Sequence, residues 1–296
     1  MLNQGQIAIS NYHYRYHPFA LFVENQKKLG FSAVEIWGGA PHFCLDDETA
    51  EGFREAKQLL DEAGLRVKAF TPESVTCLYG LCAWNDEVRQ KARNYYRLAI
   101  DGAKTLGASI VTLHCTGGAL DEPPQRAFYR AVSALRDLGG YAAERGVTLA
   151  VETNCPEEGN IVRTLPELKR LLDTVDLPNV KAGFDLCSAS MAGETMEEWF
   201  QTFRERIAYV HFSDGKPAGR MVWGHGNHPL EDMLQELGNL GWRGPLGLCS
   251  LRSPIFLIPR QQIKKISGHG RAAWSRGGSR NEIFFKGPTV GAEHSL

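Results

Sequence analysis

The chain carries almost no net charge. Its 33 lysines and arginines stand against 34 aspartates and glutamates, a formal −1, so a general nucleic-acid or membrane-surface binder is not expected. No apolar run approaches the roughly 18 residues that a membrane helix needs. Met1 to Ser10 lacks a basic stretch followed by an apolar one, so no secretory signal is visible. The seven cysteines (Cys44, Cys77, Cys82, Cys115, Cys155, Cys187 and Cys249) are scattered, odd in number and never spaced Cys-x-x-Cys. That excludes the usual spacing of a zinc-thiolate site and argues against a disulfide framework. A reducing, cytoplasmic compartment with packed thiols is the expectation. A Gly-rich nucleotide turn is also missing: Ser10 is followed by Asn-Tyr-His-Tyr-Arg-Tyr. Nor is there a solenoid-like repeat, or a low-complexity linker before residue 248.

What is present is an alternation. Short apolar, β-rich runs occur at Gln6–Ser10, Ala33–Trp37, Arg66–Thr71, Ser109–His114, Thr148–Thr153, Val180–Asp185, Tyr209–Ser213 and Gly244–Leu248. Between them lie helical patterns. Glu51–Ala63 sets Phe53, Ala56, Leu59, Leu60 and Ala63 on one face, and Glu87–Leu106 does so with Tyr95, Leu98, Ala99, Ala103 and Leu106. Glycines 30, 64, 107, 146 and 241 fall where helix ends favour them. Strands alternating with helices imply parallel pairing, and eight such units predict an α/β fold closed as a (β/α)8 TIM barrel. The hydrophobic share of 43% is ample for the core of such a barrel.

In a barrel of this kind the chemistry sits at the C-terminal ends of the strands. Those ends carry Glu35, Trp37, Glu73, His114, Glu152, Asp185, His211 and Asp214. Glu152, Asp185 and His211 come from three consecutive strands, and carboxylate oxygens with an imidazole suit one divalent ion: Mn²⁺, Co²⁺, Mg²⁺ or Zn²⁺. The bland alternative is a set of rim residues paired with arginines. His114 either hydrogen-bonds a substrate hydroxyl or packs at the rim. Trp37 and Phe70 either wall a sugar ring or belong to the core. Glu73 and Asp214 either orient ligands or are solvated. Arg220 and His225, in the long loop after strand seven, are further substrate-binding candidates.

The phrases Val34-Glu35-Ile36-Trp37-Gly38-Gly39-Ala40-Pro41-His42, Thr71-Pro72-Glu73, Val210-His211-Phe212-Ser213-Asp214 and Gly241-Trp242-Arg243-Gly244-Pro245-Leu246-Gly247 carry a resemblance. Over roughly residues 5 to 248 the chain resembles the sugar phosphate isomerase/epimerase family with the xylose-isomerase-like barrel, most of all its fructoselysine 3-epimerase branch. The resemblance implies a divalent cation held by Glu, Asp, His and a second Glu at the ends of strands five to eight; Glu152, Asp185 and His211 match the first three. It implies that the two glutamates are also the acid/base pair, so Glu152 is catalytic. One takes the proton beside a keto-sugar carbonyl, and the other returns it on the opposite face through an enediolate. A small sugar-like substrate is the implied partner, with a homo-oligomer open.

The pattern breaks at strand eight. The second glutamate would fall at about position 249, where Cys249 stands, and the next acid is Glu282. Residues 249–296 hold eight basic and two acidic residues, a net +6; the remaining 25 and 32 leave −7. Residues 1–248 are therefore expected to form the barrel, with an incomplete eighth unit. Residues 249–296 are expected to be an atypical basic tail, disordered or the product of a frame change. Weak metal binding and impaired turnover follow from that reading. Two alternatives stay open: a non-catalytic sugar- or partner-binding barrel, and a metal-dependent lyase or hydrolase on the same fold.

Overall fold

A computed structural model describes residues 2, 4–45, 50–74, 79–156, 158–217, 219–221 and 224–248. Eight strands run in parallel: β1 Ile7–Ser10, β2 Ala33–Gly38, β3 Arg66–Pro72, β4 Ile110–His114, β5 Thr148–Glu152, β6 Val180–Asp185, β7 Ile207–His211 and β8 Leu246–Leu248. They pair in chain order and close into a barrel. The connecting helices are α1 Phe19–Leu29, α2 Ala50–Glu62, α3 Asp86–Leu106, α4 Pro124–Ala143, α5 Leu165–Val175, α6 Leu186–Ala192, α7 Met196–Phe203 and α8 Leu230–Asn239.

Local chemistry sets the element ends. Asn85 caps α3 by accepting the N–H groups of Glu87 and Val88, and Gly107 ends it in the left-handed conformation that glycine enters without steric cost. Helix α5 opens on a capping box between Thr164 and Glu167. The helices pack their apolar stripes on the barrel's outer face. Phe53, Ala56 and Leu60 of α2 are buried, as are Tyr95, Ala99, Ala103 and Leu106 of α3. Two expected core positions turn out to be flanks: Leu59 is 38% and Leu98 40% exposed, because each sits at the margin of a stripe narrower than the periodicity suggested.

The expected strands are all found, with shifted ends. The seventh starts at Ile207 and stops at His211 rather than running from Tyr209 to Ser213. The eighth is only three residues long, yet it pairs with both neighbours. Ile7, Ala8 and Ile9 face Leu246, Gly247 and Leu248 on one side, and Val210 and His211 face Leu246 and Gly247 on the other. The barrel is therefore closed within the described residues. Cys249 and the 249–296 tail lie outside them. No helix among the described residues is long and apolar enough to cross a membrane.

The strand period of two sorts the inward side chains into layers. Ala69, Ile110, Ala150 and Tyr209 form a small cluster of their own. On their strands, Thr71, Thr112, Glu152 and His211 follow two residues later, one layer nearer the C-terminal mouth. The apolar layer is thus a floor, and the polar layer above it is the candidate site.

Candidate active site

Strand register brings the polar layer together. His114 of β4 lies beside Glu152 of β5, and Asp185 of β6 beside His211 of β7, which in turn faces Gly247 of β8. One ligand atom from each of Glu152, Asp185 and His211 falls within 4.8 Å of the others, and all three residues are buried. Asp185 ends β6 and also caps α6, accepting the Ser188 N–H at 2.9 Å. His211 Nδ1 lies 2.5 Å from Glu152 Oε1, and its Nε2 lies 3.1 Å from both oxygens of Glu35. Glu35 also accepts the Tyr209 hydroxyl at 2.8 Å.

Electrostatics follow from that packing. Burial works against a charged His211, but the Glu152 and Glu35 carboxylates outweigh it and hold the imidazolium well above the ordinary histidine range. Burial likewise works against a charged Asp185, and the Arg220 guanidinium, then His211, hold it below the ordinary aspartate range. Glu35 is also held low: burial opposes its charge, while His211, Tyr209 and Thr71 overcome that.

Around the three, Arg220 donates from Nε to Asp185 at 3.0 Å and from Nη1 to Glu158 at 3.3 Å. Glu158 is itself fixed by the Cys155 N–H. His114 is buried, with Nδ1 3.1 Å from the Ser74 hydroxyl. Its Nε2 has no hydrogen-bond partner and stands 3.4 Å from Glu152 Oε2, which has none either. Beyond this 3.4 Å contact neither atom makes a hydrogen bond, so each keeps capacity for a ligand. A hard oxygen-and-imidazole set with such an orphaned oxygen fits a divalent cation held by Glu152, Asp185 and His211.

The other expected residues are distributed unevenly. Trp37 is half-buried at the mouth, packed edge-on against Tyr12 at 4.9 Å, with its indole N–H donated to Glu73. Phe70, expected as a possible wall, is wholly buried beneath the rim, its ring filling the space beside Gly38 and packed against Phe43 and Phe53. Its inward neighbours, Ala69 and Thr71, take the face toward the site. Asp214 is not solvated: it is buried and accepts the N–H groups of Gly215, Gly224, Gly226 and His228, tying the loop after β7 to itself. His225 lies exposed on that loop. Cys187 is buried, and its thiol is pushed up to about 12 by burial and the neighbouring Asp185, so it is an inert packing group.

Three residues around the candidate site were not singled out from sequence: Glu35 as a partner of His211, Glu158 as a partner of Arg220, and Tyr209, which donates its hydroxyl to Glu35. Glu35 had a usable signal, a lone carboxylate inside the apolar run Ala33-Val34-Glu35-Ile36.

The sequence pattern of the xylose isomerase-like TIM barrel family matches residues 23–272. Fructoselysine 3-epimerase of Shigella flexneri is 26% identical over 229 residues, 77% of this chain and 83% of that protein. A probable endonuclease 4 of Natronomonas pharaonis is 27% identical over 208 residues, 66% of this chain and 71% of its own. The apo crystal structure of 3-keto-D-glucoside 4-epimerase from E. coli superposes with a TM-score of 0.75 at 17% identity, covering 90% of this chain and 99% of its own, a likeness of fold.

Proposed function

The chain belongs to the xylose isomerase-like TIM barrel family, and from that premise we propose that it is built as an epimerase or isomerase of a small keto-sugar or sugar derivative. In this reading Glu152, Asp185 and His211 hold a divalent cation. The observation that carries the reading is the convergence of one ligand atom from each of the buried residues Glu152, Asp185 and His211 to within 4.8 Å. When bound, such a cation supplies Lewis acidity that acidifies the C–H beside a substrate carbonyl.

Each residue then has a task. With the cation bound, Glu152 would ligate through one carboxylate oxygen and keep the other to take a proton from carbon. His114, oriented through Ser74, presents Nε2 to a substrate hydroxyl. Arg220, neutralised on one side by Asp185 and on the other by Glu158, holds a substrate oxygen at the mouth. Trp37 gives an apolar wall. His225, exposed on its loop, takes no part in this assignment.

Inversion at carbon needs a second proton carrier on the opposite face. By the resemblance the second glutamate would fall at about position 249, where the sequence has Cys249. The expected reaction is therefore one-sided: Glu152 removes the proton and returns it to the same face. Incubation of the purified chain with D-fructose and Mn²⁺ in D₂O, followed by NMR, should show deuterium entering at C3 about 100-fold or more faster than epimer appears. Inversion as fast as exchange would sink the one-sided reading. Absence of exchange with any ketose by Mn²⁺-loaded protein would sink the epimerase reading itself.

The hydrolase alternative has less support. Among the described residues the metal-capable group contains a single histidine, and residues 1–248 carry a net −7, which repels a polyanionic backbone.

A further inference from the structure

A histidine offers a metal one nitrogen and needs its proton on the other. In this barrel the choice between the two is built into a second set of residues. Nδ1 of His211 faces Glu152 and the candidate cation site, while Nε2 faces Glu35 at 3.1 Å from each oxygen. Carboxylates only accept, so without a cation both ring nitrogens carry protons toward Glu152 and Glu35; for Nδ1 to serve as a ligand its proton must leave, and Glu35 then holds the remaining proton on Nε2.

Glu35 is itself held in place. It is 1% exposed and takes the Tyr209 hydroxyl and a hydrogen bond from Thr71, whose own hydroxyl receives that of Thr112 at 2.9 Å. On the β8 side, Gly247 makes the room: a Cβ there would lie 2.3 Å from Glu35 Oε2 and 2.6 Å from the Tyr209 oxygen. Four strands besides its own thus fix one carboxylate that touches none of the reacting atoms. A barrel that needed only to fill its interior would place an apolar side chain here more cheaply, because a buried ion pair rarely exceeds a hydrophobic one in stability.

We infer that Glu35, braced by Tyr209 and accommodated by Gly247, is a positioning residue that sets the His211 tautomer and so tunes the site's affinity for a divalent cation. This rests on the metal reading proposed above.

The test is Mn²⁺ titration by calorimetry on the full chain, with melting curves of the metal-free proteins as the control for folding. Glu35→Leu should bind Mn²⁺ about 10- to 100-fold more weakly than the wild type. Glu35→Gln, which keeps an acceptor oxygen in place, should recover most of the loss. In Zn²⁺-loaded protein, ¹⁵N shifts of His211 should report a ligated Nδ1 and a protonated Nε2. Should the leucine variant not fold, Tyr209→Phe removes one brace and keeps the ring, and should weaken Mn²⁺ several-fold. Wild-type binding retained in the folded leucine variant, or ligation through Nε2, overturns the role of Glu35 alone. A wild-type chain that takes up neither Mn²⁺ nor Zn²⁺ overturns the metal reading, and the inference with it.

Discussion

Glu152 reaches its place only because β6 carries glycine beside it. A Cβ at Gly183 would lie 2.7 Å from Glu152 Cγ, too close to be relieved without moving the carboxylate. Gly183→Ala should therefore cost about 1–3 kcal/mol in urea unfolding and weaken Mn²⁺ binding more than a cation-remote overpacking variant of equal stability. Equal Mn²⁺ affinity in the variant and the wild type would contradict this. The charges nearby make the metal-free protein sensitive to pH in two directions. His211 holds its proton more tightly folded than unfolded. Its contribution is therefore complete below the ordinary histidine range and is lost as pH rises through the raised folded value. Glu35 is held low, so its contribution is present above the ordinary glutamate range and is lost as pH falls through the depressed value. Urea midpoints of chelated protein across pH should peak between those limits, and His211→Asn should flatten the alkaline limb. An alkaline limb unchanged in that variant would remove His211 as its cause. At this scale the sequence was partly legible. Glu152, Asp185 and His211 could be read because they end strands. Glu35 could not be assigned, because a parallel strand buried on both faces has no polar–apolar alternation to say which way it points.

Elements were more legible than contacts. Turn glycines, caps and apolar spacing are local signals, and they located every strand and the long helices α2 and α3 to within about two residues. What failed was the width of a helical stripe: Leu59 and Leu98 lie at its exposed margins, and where a stripe stops is set by tertiary packing that a helix's own spacing does not report. The cap of α3 gives a clean test. The Asn85 side chain satisfies two N–H groups at the start of a 21-residue helix whose other end leads into β4 and His114. Asn85→Ala should lower stability by about 1 kcal/mol while leaving Mn²⁺ affinity intact, because the site is braced by strand register and not by the helix start. A parallel loss of metal binding would show that the helix positions the site after all.

For the molecule as a whole, closure depends on β8, three residues joined to both β1 and β7. That the barrel closes was readable from eight alternating units; that so short a strand suffices was not, because pairing across the seam is a long-range contact. The Cys249→Glu chain should bind Mn²⁺ more tightly than the wild type and bring epimer formation up toward the rate of exchange, about 100-fold or more. No gain in either would mean that residue 249 is not the missing group. The loop after β7 carries a last consequence. Barrels of this architecture often hold a phosphate on backbone N–H groups in the loops after strands seven and eight. Here the N–H groups of Gly215, Gly224, Gly226 and His228 are already turned onto the buried Asp214 carboxylate. The chain carries its own anion in that corner, so an esterified sugar meets a negative charge where it would need donors. Free ketoses should accordingly compete for the site better than their phosphate esters, a preference that a simple inhibition series can read.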